Sequence, residues 1–158
     1  MTDTDFPPPG LGPQRAAAEA AELAQAVSGL VSIHGCRLAD TGPLALLARG
    51  IARSVIEAGL PLHHCLQHHP LYRLGGVCLL AVPAGLADGR AGIAVSWTAH
   101  RLLLLDGDRY GTYTGTQQAM NTALGGVLRA FGNLVTPFGS GGAWLVTGHR
   151  GDDPGAGR

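Results

Sequence analysis

Apolar residues along this chain recur first at helical spacing, then in short unbroken runs, then at helical spacing again. Ala16, Ala20, Leu23, Val27 and Leu30 make the first stripe, which is the period of one helix face. Pro13 suits the first helical position. Most of the stripe is alanine, so this helix packs thinly, and its end, residues 30–34, fits a short strand equally well. The second stripe is Leu44, Leu47, Ile51, Val55 and Ala58. Thr41 or Gly42 caps it, Pro43 starts it, and Gly59 with Pro61 stops it. Arg49, Arg53 and Glu57 fall four apart on its wet face, where such pairs contribute about 0.3 kcal/mol each.

Two strands follow. Gly76–Val82 is wholly apolar and reads as a central strand covered on both faces. Gly92–Thr98 alternates, with Ile93, Val95 and Trp97 on one side. Residues 101–105 fit either a third strand or a short helix capped by Thr98. A long helix is predicted over 114–131. Thr114 and Gln117 fit a capping box, and Tyr113, Gln117, Met120, Leu124, Val127 and Phe131 form the stripe. Gly125-Gly126 lies inside it, at about 1 kcal/mol of lost propensity per glycine, a pair that suits close approach by another backbone. Residues 134–138 and 143–147 are the last strands, joined by a turn over Gly139-Ser140-Gly141-Gly142. Pro137 cannot donate to a ladder, so its strand either lies at an edge or ends there.

This order predicts an α+β fold: a mainly antiparallel four- to five-stranded sheet with two or three helices packed on one side. A single domain is expected over 13–149. Residues 1–12 and 150–158, rich in Pro, Gly and Asp, are expected to be disordered tails.

Composition narrows the function classes. The 158 residues are 46% hydrophobic and 14% charged, and eleven basic residues balance eleven acidic ones. Every basic residue is Arg, a coding bias of the actinobacterial kind. Zero net charge argues against a nucleic-acid surface and favours self-association. The most apolar stretch, residues 91–105, is interrupted by Ser96, Thr98, His100 and Arg101, so membrane insertion is not expected. Cys36, Cys65 and Cys78 show no framework spacing. Reduced thiols in a cytoplasmic protein are the expectation.

The densest chemistry is His63-His64-Cys65-Leu66-Gln67-His68-His69. On a short helix after Pro61, His64 and His68 share a face one turn apart, and Pro70 pushes His69 toward an extended conformation. Zinc wants four ligands; His64, His68, Cys65 and Cys36 form the candidate metal set. The plainer alternative is a solvated polar loop. Cys65, flanked by imidazoles, has the surroundings of an activated thiol but no nucleophile signature. His100, Asp106 and Asp108 form a candidate acid–base set, although Asp106-Gly107-Asp108 is more simply a turn. The 139–142 glycines lead into a strand without the Lys of a phosphate loop.

Trp97, Trp144, Tyr72, Gln117 and Asn121 are the candidate partner-binding residues. Exposed tryptophans mark partner surfaces, whereas buried ones fill a core. Amides near an apolar stripe need partners in the sheet, in another chain or in local backbone.

Trp97-Thr98-Ala99-His100, Met120-Asn121-Thr122-Ala123-Leu124 and Pro137-Phe138-Gly139-Ser140-Gly141-Gly142-Ala143-Trp144-Leu145-Val146 together resemble segments of accessory "spread" proteins of Streptomyces transfer plasmids. The resemblance covers the last third of the chain and holds no chemical motif. It implies an auxiliary role in plasmid spread and assigns no site residue. The element order is also similar to small secretion-chaperone-like domains, which dimerise and bind protein segments. The expected function is therefore a non-enzymatic accessory protein that binds a protein partner or forms a homo-oligomer. A zinc-binding protein and an enzyme using His100 are the alternatives.

Overall fold

The computed structural model describes residues 42–63, 75–85, 89–105 and 107–152, together with Ala18 and Ala21. Ala18 and Ala21 are helical and exposed; the rest of the expected first helix and the N-terminal tail lie outside the described residues. Helix α1 (Pro43–Glu57) is followed by β1 (Gly76–Val82), β2 (Gly92–Thr98), the one-turn helix α2 (Leu102–Leu105), α3 (Tyr110–Ala130), β3 (Asn133–Phe138) and β4 (Ala143–His149). The strands form one antiparallel sheet in the order β1-β2-β4-β3. With α1 and α3 laid on it, this is the α+β fold that the hydrophobic pattern predicts.

The helices share one face of the sheet. Ala45, Ala48, Ile51, Ala52 and Val55 of α1 and Leu124 and Leu128 of α3 bury against Val77, Leu79, Ala81, Ile93, Val95 and Val146. Alternate residues point the other way, and Val82, Ala94 and Leu145, with Leu80 and Phe138, form a smaller cluster there.

Several expectations shift in detail. The edge strand is β3, where Pro137 sits, but β1 is the other end of the sheet order and not a central strand. Leu62 adds one parallel bridge to Val77 beside it. The α1 stripe rotates so that alanines face the sheet, Ala58 caps the exposed end, and Leu46 is left 66% exposed. Gly42 occupies the N-cap without a side-chain bond, and Pro43 opens the helix. On the wet face Arg53 pairs with Glu57 at 2.7 Å. Residues 102–105 are helical, and His100 rather than Thr98 caps them: its Nδ1 accepts the Leu102 N–H at 3.1 Å. The long helix starts at Tyr110, four residues before the predicted capping box. The Thr114 hydroxyl instead bonds backward to the carbonyls of Gly111 and Tyr110, an in-helix alternative to capping. Residues 150–152 form a 3-10 turn, and the Arg150 amide donates to the Gly132 carbonyl at 2.9 Å.

The largest correction concerns sulfur. Cys78 is disulfide-bonded, not an inert reduced thiol. The chain's other cysteines, Cys36 and Cys65, lie outside the described residues.

Candidate binding surfaces

Asn121 sits on the buried side of α3, 2% exposed. Its Oδ1 accepts the Trp97 N–H at 2.6 Å, and its Nδ2 donates to the Gly141 carbonyl at 3.4 Å. The pairing of β2 with β4 runs from Ile93 to Val95 and stops. Beyond that point the carboxamide stands between β2 and the turn, as a peptide group would. It satisfies the Trp97 N–H, a main-chain group that partial burial would otherwise leave costly. Trp144 completes the junction: its indole N–H donates to the Asn121 main-chain carbonyl at 2.7 Å. The indole fits because residue 125 is glycine; a Cβ there would collide with the Trp144 ring. A side chain, not a backbone, thus uses this glycine, while Gly126 faces open space. Arg129 lies over the outer face of the ring, 4.5 Å from its centroid, a cation–π contact.

The candidate partner-binding residues thus separate. Asn121 is committed to the sheet, and Trp97 and Trp144 are half-buried. Gln117, one turn before Asn121, is half-buried too. Its Oε1 and the Trp97 Nε1 are buried and have no hydrogen-bond partner among the described residues. Tyr72 lies outside the described residues.

A groove of about 850 Å³ runs between the N-terminal half of α1 and the ends of β3 and β4. Leu44, Leu46 and Leu47 form its apolar wall, and Thr147 and His149 lie at the far side. His149 is held: Nε2 lies 2.8 Å from the Phe131 carbonyl, and Nδ1 accepts the Gly151 N–H at 3.2 Å. Those two bonds select the tautomer with the proton on Nε2. Asn133 fixes the groove floor, donating to the Leu128 carbonyl at 3.0 Å and so satisfying a carbonyl in the last turn of α3.

A second apolar surface, outside the groove lining, lies at the connection into α3. Leu102 is 64%, Leu105 75% and Tyr110 60% exposed. Tyr110 and Tyr113 stack at a centroid distance of 6.4 Å.

No family model, curated protein or solved structure matches this chain.

The candidate metal residues His64, His68, Cys65 and Cys36 lie outside the described residues. No group of three metal-binding side chains is gathered among the described residues. His63, where the cluster begins, donates its N–H to the Val77 carbonyl at 2.8 Å. Of the acid–base set, His100 is half-buried and caps α2, Asp108 is exposed in the turn before α3, and Asp106 lies outside the described residues. No described helix is long and apolar enough to cross a membrane. Sequence reasoning passed over the groove and the leucine tip. The signals were present: Leu46 interrupts the predicted stripe, and 102–105 are four consecutive leucines.

Proposed function

We propose that this chain is a non-enzymatic accessory protein that binds an apolar segment of a protein partner, or of a second copy, in the groove beside α1. The observation that carries this reading is the groove itself. It is about 850 Å³, within the usual range of binding clefts (roughly 300–1,000 Å³), and its rim residue Leu46 is two-thirds exposed. Its lining is mainly apolar, with Ser54 and Thr147 as the hydroxyls that could orient a bound chain. Burying Leu46 against a partner is worth about 1.5 kcal/mol or more, a sizeable share of a modest interface. A balanced charge and a low charged fraction leave little repulsion between copies.

An auxiliary role in plasmid spread is the specific form of this reading suggested by the resemblance. Cytoplasmic residence is the matching location, and it requires the Cys78 disulfide to be opened there, because that compartment keeps thiols reduced. A photo-crosslinking residue placed at Leu46, and for comparison at exposed Thr112, tests the groove in the producing cell. Adducts are expected at position 46 and not at 112. Equal yields at both positions, with a monomer in sedimentation at every concentration, would remove the basis for this reading.

A further inference from the structure

The leucine tip is separate from the groove and carries its own inference. We propose that Leu102–Leu105 docks reversibly on the surface of a lipid bilayer, with Leu102 and Leu105 entering the acyl boundary and Tyr110 at headgroup level.

Three observations favour lipid over protein as the occupant. The first is size. Leu102, Leu105 and Tyr110, at 64%, 75% and 60% exposure, offer on the order of 400 Å², about half of what a stable dimer takes from each partner (roughly 800 Å²). That is too small for a second copy and enough for shallow insertion. The second is hydrogen bonding. The first two amides of the tip are already satisfied by one residue: Leu102 N–H donates to His100 Nδ1 at 3.1 Å, and Leu103 N–H to the His100 carbonyl at 3.0 Å. A protein partner could supply such bonds, whereas an acyl phase cannot, so a tip that enters lipid must bring its own. The third is the rim. Tyr110 and Tyr113 stack on one another, and tyrosines favour the headgroup level. In the sequence Arg101 and Arg109 are matched by Asp106 and Asp108. With acid and base balanced along this segment, attraction to anionic lipid is not the driving force. This is docking on a surface, distinct from crossing it.

The test uses vesicles of phosphatidylcholine alone, at lipid concentrations on the order of 10 mM, because so small a tip binds more weakly than a single acyl anchor. The full chain is expected to sediment with the vesicles. The double variant L102S/L105S, whose changes lie on exposed positions, should fold normally by circular dichroism and partition at least about tenfold less. The proposal is overturned if the full chain stays in the supernatant, or if L102S/L105S sediments equally well. It is also overturned if L102S/L105S abolishes a dimer that forms without lipid, because the tip would then be an interface between copies.

Discussion

The indole N–H of Trp144 donates to the main-chain carbonyl of Asn121 at 2.7 Å, while the Asn121 side chain reaches past it to β2 and the 139–142 turn. One residue of α3 thus uses both its backbone and its carboxamide to join the helix to two separate parts of the sheet. Helix packing alone is tolerant of small slides. These directional bonds fix α3 along its axis, and with it the groove floor at Asn133, which bonds the last turn of that helix.

Removal of the carboxamide tests that role. Asn121→Ala leaves the half-buried Trp97 N–H without its acceptor, whereas the carbonyl of exposed Gly141 can turn to water. The stranded amide costs about 1–3 kcal/mol, so unfolding in urea should show a loss of about 2 kcal/mol. A loss below about 0.5 kcal/mol, the range of an ordinary surface change, would mean that water replaces the amide at no cost.

The two adjacent glycines should respond in opposite directions. At Gly126 a Cβ meets nothing within 4 Å, so Gly126→Ala should stabilise by up to about 1 kcal/mol through helix propensity. At Gly125 the same methyl collides with the Trp144 ring. Overpacking of this kind costs about 1–3 kcal/mol, and a displaced indole also loses its bond to Asn121. Gly125→Ala should therefore lower the urea midpoint, and its tryptophan fluorescence should shift to the red. Identical stabilities for the two variants would show that the Trp144 ring moves aside at no cost.

These positions show what the sequence makes legible. Strand boundaries at Gly76, Val82, Gly92 and Thr98 could be read because the apolar runs end on glycine, proline or polar residues. The edge position of β3 followed from Pro137 lacking an N–H. The predicted stripe of α3 overlaps the buried line at Leu124 but misses its other members. Periodicity counts apolar residues, and the true buried line runs through Asn121 and Gly125, a polar residue and a residue with no side chain, to Leu128. Their burial is set by Trp144, about twenty residues away, and no local pattern encodes that distance. The same holds at α1, where alanines face the sheet because the helix lies close, and the larger Leu46 is turned outward. The disulfide at Cys78 is equally non-local: spacing among three cysteines does not specify a pair.

Gln117 gives a prediction of opposite sign to Asn121, although both are carboxamides one turn apart. Its Oε1 is buried with no partner among the described residues, as is the Trp97 Nε1. Replacing an unsatisfied buried acceptor with an apolar side chain of similar length removes its desolvation penalty, about 1–3 kcal/mol. Gln117→Met should therefore raise the melting temperature. If these two atoms instead engage a bound partner, Gln117→Met should weaken its binding while leaving the free protein no less stable. A melting temperature that falls in Gln117→Met would show that the amide already has a partner in the free protein.

The sulfur chemistry provides the last prediction. One disulfide at Cys78 leaves one thiol of the three cysteines. In denaturant without reductant, an alkylating reagent should modify one cysteine per chain, and after reduction all three. Peptide mapping then identifies the partner as Cys36 or Cys65. Either assignment removes a thiolate from the candidate zinc set of His64, His68, Cys65 and Cys36, because a sulfur in a disulfide is not the anionic ligand that zinc needs. Zinc content in the oxidised protein should therefore be near zero. Metal uptake that appears only after reduction would restore the His64–His68 set and link it to redox state. Reduction should also lower stability by about 2–4 kcal/mol, the usual contribution of a native cross-link. Alkylation of all three cysteines before any reductant is added would contradict the bond at Cys78 and return the chain to the reduced state expected of a cytoplasmic protein.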